Sequence, residues 1–494
     1  MAFLGMPATG VLVRLQRREQ GVMPPNSKGS KSSDDDWVGD LLVGLVKVTS
    51  IGMFRFALRW PDIAILLTIF AVTGVSVGLR VGCVLTAACA AGVLVWRLGW
   101  PDSYARLIGK PVADYRRTYL VYRRRWRTIC ERHGLIISQR GRPDADPLVP
   151  DLSSVRIGAA VDTLVVRLLV GQSVKTWQTQ VDGLAAAFGA HHVTIQPGPV
   201  AAGRGRDIVL RVRHHDALAV PIPLARPCPD SPVVRLANVP AGVTEQGNPW
   251  MLPVAGRHIL VGGATGAGKG SVLWALVAGL APGIKAGLIG VRCLDPKGGM
   301  EFAAGAALFD RFAYDSDSIL EVLRDTTATM LARAQRLRGT TRCHRPTRAE
   351  PHIVLLVDEL ATLTAYADRK QRAEVDQLLG LWLAQGRAVG VSVIAAVQDP
   401  SKDVVAVRQL FPIRVGLRMT EATQSAMILS TSAHQQGARC EEIPDNTPGV
   451  GYVLTEGNTA IARVRAFHVT DSDIAWLAGN FAPPARRTNN QGRR

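Results

Sequence analysis

The run Gly263-Ala264-Thr265-Gly266-Ala267-Gly268-Lys269 follows an apolar stretch, His258-Ile259-Leu260-Val261. A glycine-rich turn between a strand and a helix exposes backbone N–H groups that cradle phosphates, and a lysine closing the turn reaches the β- and γ-phosphates. Further along comes Ile353-Val354-Leu355-Leu356-Val357-Asp358-Glu359. An apolar buried strand ending in Asp-Glu puts one carboxylate near Mg²⁺ and the next near an attacking water. The pair predicts NTP hydrolysis more strongly than either half. Gly263, Ala264, Thr265, Gly266, Ala267, Gly268, Lys269, Gly270 and Ser271 form the expected nucleotide-binding set. The position after the lysine, where a hydroxyl is expected, holds Gly270. Ser271 comes one place later, so the expected metal ligands are Asp358 and Ser271.

These residues need a parallel sheet to hold them. From 256 to about 470 strand and helix patterns alternate, which implies an α/β fold with such a sheet. Strands are predicted near Ile259, Gly287–Leu294, Ile353–Val357, Val391–Val397 and Ile413–Arg418. Helices are predicted after the phosphate loop, at Asp315–Arg338 and at Ala373–Arg387. Residues 151–225 read as a small α+β domain, and a proline-rich linker, 226–255, joins it to the motor domain at 256–475. A basic tail follows at 476–494.

The 494 residues are too many for one ordinary core. A net charge of +18 suits an anionic partner, nucleic acid or an anionic membrane face. The seven cysteines form no C-x-x-C pair, which argues against a zinc site or a disulfide framework and fits a reducing cytosol.

Residues 1–36 read as a disordered tail and 37–100 as a membrane region. Two apolar runs, about 63–79 and 81–96, predict a transmembrane helical hairpin with Arg80 in its turn. Arg55 and Arg59 flank one side, and Arg97, Arg106 and Lys110 the other. The positive-inside tendency then places both termini and the motor in the cytoplasm, at the cell membrane. Residues 101–150 read as a basic juxtamembrane segment and linker. Its Tyr115–Arg127 stretch sets aromatics among arginines, suited to anionic headgroups or nucleic acid.

Four further stretches narrow the reading. They are Leu294-Asp295-Pro296-Lys297-Gly298, Gln385–Pro400, Phe411–Arg418, and Thr423–Leu429 with Pro448-Gly449-Val450-Gly451-Tyr452-Val453. Their order resembles the motor of the FtsK/SpoIIIE family of double-stranded DNA translocases over about 256–470, more weakly over 155–223. The resemblance implies a RecA-like P-loop NTPase core, a homo-hexameric ring around duplex DNA, and ATP with Mg²⁺ as the nucleotide and metal. By match to family motifs, Lys269 binds phosphate, Asp358 serves Mg²⁺, Glu359 polarises water and Gln398 senses the γ-phosphate. Ring ATPases also need a cation from the neighbouring subunit; Arg387, Arg414 and Arg418 are the candidates.

The Gly-Lys-Gly-Ser run resembles actinobacterial members on conjugative or integrative elements, which implies transfer of plasmid or element DNA between cells, with movement of chromosomal DNA at septa beside it. Two other readings are an FtsK-like ATPase moving protein cargo, as in type VII secretion, and an inactive membrane scaffold that tethers DNA. A basic stretch, Arg333, Arg336, Arg338, Arg342, Arg345 and Arg348, offers phosphate contacts.

Overall fold

The computed structural model describes residues 78–139, 145–198, 206–231, 234–365, 369–400 and 408–484, together with Thr68 and Val72. The expected tail 1–36, nearly all of the first apolar run, and residues 485–494 lie outside them. The chain divides into one unit through Arg116 and a second from Arg117.

In the first unit, helix α1 (Leu79–Gly99) is capped by Gly78 at φ 108°, so Arg80 sits inside its first turn, one step past the break. Among the described residues no single helix is long and apolar enough to cross a membrane. One bent pair, Cys83–Gly99 with Pro101–Arg132, qualifies by length and composition.

The second unit opens on the stretch expected to be a juxtamembrane linker. Its helix α2 (Trp126–Arg132) buries Trp126, Ile129 and Cys130. Four strands follow: β1 (Asp151–Arg156), β2 (Val161–Arg167), β3 (His192–Pro197) and β4 (Asp207–Arg213). They form an antiparallel sheet in the order β1-β2-β4-β3. Alternate residues of β2 and β4 face one core, where Leu164, Val166, Ile208 and Leu210 meet Tyr122, Trp126 and Trp177. Two aromatics of the basic stretch, Tyr122 and Trp126, are therefore core residues, whereas Tyr115 is exposed. Buried Asp162 fixes this arrangement. Its carboxylate accepts from Tyr122 Oη at 2.5 Å, pairs with Arg117 Nε at 2.9 Å and meets His214 Nε2 at 3.0 Å. Packing thus starts the small domain near 117, not 151.

Ten further strands and a two-residue strand build the second sheet. They are β5 (Ile222–Pro223), β6 (Val239–Thr244), β7 (Pro249–Leu252), β8 (Ile259–Gly262), β9 (Ile289–Leu294), β10 (Arg311–Ala313), β11 (His352–Val357), β12 (Val391–Val397), β13 (Ile413–Leu417), β14 (Val450–Thr455) and β15 (Asn458–His468). The order is β10-β9-β11-β12-β8-β13-β14-β15-β6-β7, with β5 beside β15. The first six are parallel, the rest of that order antiparallel, and β5 runs parallel to β15. The five expected strands are present within two residues of their expected bounds. The expected linker 226–255 instead supplies the β6–β7 hairpin at the sheet edge, where Trp250 and Leu252 are buried.

The four longest helices of this domain among the described residues are α3 (Lys269–Lys285), α4 (Ser316–Leu337), α5 (Arg369–Gln385) and α6 (Asp471–Phe481). Period-2 alternation splits the strands between two cores. On β11, Val354 and Leu356 join Val272, Leu276, Ile474 and Phe481 on one side. Ile353, Leu355 and Val357 join Leu323, Leu379 and Trp382 on the other. Residues 476–481, expected in the tail, are thus the end of a packed helix, because Leu477 and Phe481 are fully buried.

If α2 belongs to the small core, Trp126→Ala removes a ring stacked on Trp177 and an indole N–H bond to Pro150 O of 2.7 Å. The expected cost is about 3–5 kcal/mol, measured by denaturant unfolding of the variant. A surface location for Trp126 would give a loss within about 0.5 kcal/mol.

Candidate active site

The strand β8 ends at Gly262, and the chain turns back over the helix α3 through Gly266 (φ 73°) and Gly268 (φ 94°), backbone conformations that favour glycine. Neighbouring strand ends tie this loop down. Gly263 N donates to Val397 O at 3.1 Å and Ala264 N to Arg418 O at 2.8 Å. Gly449 N donates to Ala267 O at 2.8 Å, and a Cβ on Gly268 would lie 2.3 Å from Gly449 N. The Pro448-Gly449 stretch is therefore a backbone buttress for the phosphate loop.

Lys269 is the first residue of α3 and is only 8% exposed. Its ammonium donates to Gly263 O at 2.8 Å and Ala264 O at 3.1 Å. Burial pulls its pKa down to about 8, against the opposing pull of Glu359 and Asp358. Those two carboxylates stand at the end of β11, two strands along. Gln398, at the end of the intervening β12, donates its backbone N–H to Glu359 Oε1 at 3.1 Å, and its side chain accepts from Thr265 Oγ1 at 3.3 Å. Glu359 Oε2 is buried and makes no hydrogen bond among the described residues.

Thr265, Gly266, Gly268, Lys269, Gly270, Ser271, Asp358 and Gln398 line one cleft of about 410 Å³. Gly263, Ala264 and Ala267 shape the loop behind it. Three lining residues carried no expected role: Lys297, Met300 and Glu301. Lys297 Nζ lies 3.0 Å from Asp358 Oδ2 and 3.5 Å from Glu359 Oε2. Burial lowers its pKa, but the charges of Asp358 and Glu359 outweigh that and leave it raised. The Asp295-Pro296-Lys297 motif is the signal that could have marked it. Nothing in the sequence signals that Glu301 comes to the phosphate loop.

The arginines separate. Arg418 lies against its own chain's phosphate loop, with Nη2 2.9 Å from Thr265 O and Nη1 3.0 Å from Asp445. Arg414 reaches Ile428 O at 3.4 Å, and Arg387 donates to Gly256 O at 2.9 Å. Arg387 precedes β12 and so lies at the end of the strands away from the cleft. Arg333 leaves the expected basic surface altogether. It is 4% exposed and donates to Val389 O, Gly390 O and Pro351 O, stitching α4 to two strand starts. Arg336 pairs with Glu350 at 2.6 Å, and Arg348 donates to Ala286 O. Arg338, Arg342 and Arg345 are exposed.

Residues 235–347 match the FtsK/SpoIIIE family model. Over that segment, which holds the phosphate loop and Lys269, the chain is similar to the FtsK/SpoIIIE P-loop ATPases. The match begins just before the β6–β7 hairpin, in keeping with a motor that starts ahead of the phosphate loop. The transfer protein TraSA of Streptomyces ambofaciens is 27% identical over 386 residues, which cover 72% of this chain and 87% of that protein. The DNA translocase FtsK of Chlorobaculum tepidum is 26% identical over 269 residues, 47% of this chain and 32% of that protein. The chain thus spans most of the transfer protein and about a third of that translocase. The monomer form of the pCW3 conjugation coupling protein TcpA with ATPγS matches at 21% identity and TM-score 0.45, over 72% of this chain and 98% of that one.

A phosphate beside Lys269 raises its pKa above the value of about 8, so nucleotide binding takes up a proton. The stabilising charge is fully present below pH 8 and fades as pH rises through it. Calorimetric titration at pH 8 in buffers of different ionisation enthalpy is expected to show proton uptake, with affinity falling toward pH 9. An affinity flat across that range would place the ammonium outside the phosphate site.

Proposed function

We propose that this ATPase is a membrane-anchored motor that pumps duplex DNA, in the transfer of plasmid or integrative-element DNA between cells. The observation that carries the ATPase half is the convergence of Lys269, Asp358 and Gln398 on one cleft from three strand ends, with Glu359 held beside them by Gln398 N–H. In this reading the loop N–H groups and Lys269 bind the phosphates. Glu359, held by Gln398 N–H and with Oε2 left free of hydrogen bonds, orients the attacking water. Gln398 links that carboxylate to Thr265 and so reports phosphate occupancy. Asp358 and Ser271 stand on the cleft wall as candidate Mg²⁺ ligands. The metal supplies neutralisation of the phosphate charge.

The cargo is read from charge and kinship. A net charge of +18 and the exposed Arg338, Arg342 and Arg345 suit a sequence-independent phosphate partner. Kinship to a transfer protein over 87% of its length supports conjugal transfer of DNA as the setting. A homo-hexameric ring follows from the family resemblance, with Arg387 and Arg414 the remaining candidates for a cation reaching the neighbouring site. Helix α1 and the apolar run before it form the anchor, with both termini and the motor on the cytoplasmic side.

Two experiments test this. ATPase rate of the detergent-solubilised chain is expected to rise strongly with linear duplex DNA. Lys269→Ala abolishes that rate, and Glu359→Gln lowers turnover at least about a hundredfold while sparing ATP binding. A rate unmoved by duplex points to protein cargo. Neutralising Arg338, Arg342 and Arg345 together is expected to weaken DNA binding equally across sequences and to lower the log–log salt slope by up to about 3. An unchanged slope in fluorescence anisotropy removes that loop from the DNA path.

A further inference from the structure

Gly270 is a glycine for a reason that lies 31 positions away. A Cβ built at this position falls 2.1 Å from Glu301 Oε1. The carboxylate of Glu301 thus fills the space where a residue following the lysine would carry its side chain. The backbone that carries it is held from both sides. Buried Asp295 accepts from the backbone N–H of Lys297 at 3.3 Å, Glu301 at 3.0 Å and Phe302 at 3.1 Å, which folds residues 296–302 into a fixed turn. Phe302 is fully buried, and its ring centroid lies 4.9 Å from that of Trp274. Trp274 is four residues beyond Gly270 on α3, hence on the same helix face. The aromatic contact therefore lays the turn along the face on which Gly270 opens.

Resting on the ATPase reading above, we propose that Glu301 replaces the missing hydroxyl as a Mg²⁺ ligand and, with Asp358, forms the metal position. Mg²⁺ takes oxygen ligands and is commonly bound by one or two carboxylates together with substrate phosphates, which is the donor set Glu301, Asp358 and nucleotide supply. Both carboxylates line the same cleft as Lys269. A second feature, beside the cleft, calls for a bound group: Glu359 Oε2, in a side chain only 5% exposed, has no hydrogen-bond partner among the described residues, and the cation near it is Lys297 Nζ at 3.5 Å. Lys297 pairs with Asp358 from the same turn that carries Glu301, so one short segment brings both a counter-charge and a ligand to the metal position. Ser271 borders the cleft too, but one residue along a helix rotates the side chain by about 100°. It does not share the space above Gly270.

A carboxylate in place of a hydroxyl has an electrostatic signature. Without metal it repels the polyphosphate, and with metal it tightens the complex. The test is binding of a fluorescent ATP analogue to the full chain in detergent, first in EDTA and then across a Mg²⁺ titration. Glu301→Gln is expected to bind the analogue in EDTA as well as or better than the parent, and to need at least about tenfold more Mg²⁺ for half-maximal tightening. Gly270→Ser with Glu301→Ala places a hydroxyl in the vacated space and brings the midpoint back toward the parent value, an outcome that a merely structural role for Glu301 does not give. A Glu301→Gln midpoint equal to the parent's overturns the assignment. Failure of the parent to bind the analogue under either condition instead removes the nucleotide site itself.

Discussion

The structure turns on a lysine ammonium kept almost wholly out of water. Lys269 has lost most of its hydration, and two loop carbonyls and nearby carboxylates replace it. Taking a cation from water costs several kcal/mol unless partners compensate. The compensation comes from strand ends: Asp358 and Glu359 from β11, Gln398 from β12, and the carbonyls of the loop after β8. These strands lie side by side in the parallel part of the sheet, so their ends form one edge and the loops above them share one cleft. The known preference of such sheets for ligands at the carboxyl ends of their strands has the same origin.

The rest of the second unit supports that edge. Strands β13 and β14 bring Arg418 and Gly449 against the phosphate loop. The Asp295 turn brings Lys297 and Glu301 to its other side. The tightness at Gly268 and Gly270 has opposite causes. At Gly268 another backbone comes too close for any side chain, whereas at Gly270 a carboxylate holds the space.

The small domain is fastened to the motor by charge and by backbone. Arg463 on β15 grips Asp216 through two contacts of 2.7 and 2.8 Å and reaches Glu245 at 3.1 Å. Arg213 pairs with the same Glu245. Gln178 and Gln196 donate to the carbonyls of Gln435 and Gln436 in the motor. This seam joins β4 and its exit to β15, a strand that also pairs with β14 beside the phosphate-loop buttress.

The sequence alone determined the parts set by local chemistry. Glycine spacing, strand alternation and the Asp-Glu ending mark the phosphate loop, the parallel strands and the carboxylate pair at the end of β11, because each is a short-range pattern. It misplaced the domain edges at 117, 239 and 481, where proline, arginine or a weak period disguises residues that are buried only in the folded chain. It also grouped Arg333 with surface arginines, since composition does not reveal that three carbonyls enclose it. Tertiary structure decided what stands above Gly270. Residues 270 and 301 belong to different elements, and only the packing of Phe302 on Trp274 brings a carboxylate into the space the glycine leaves.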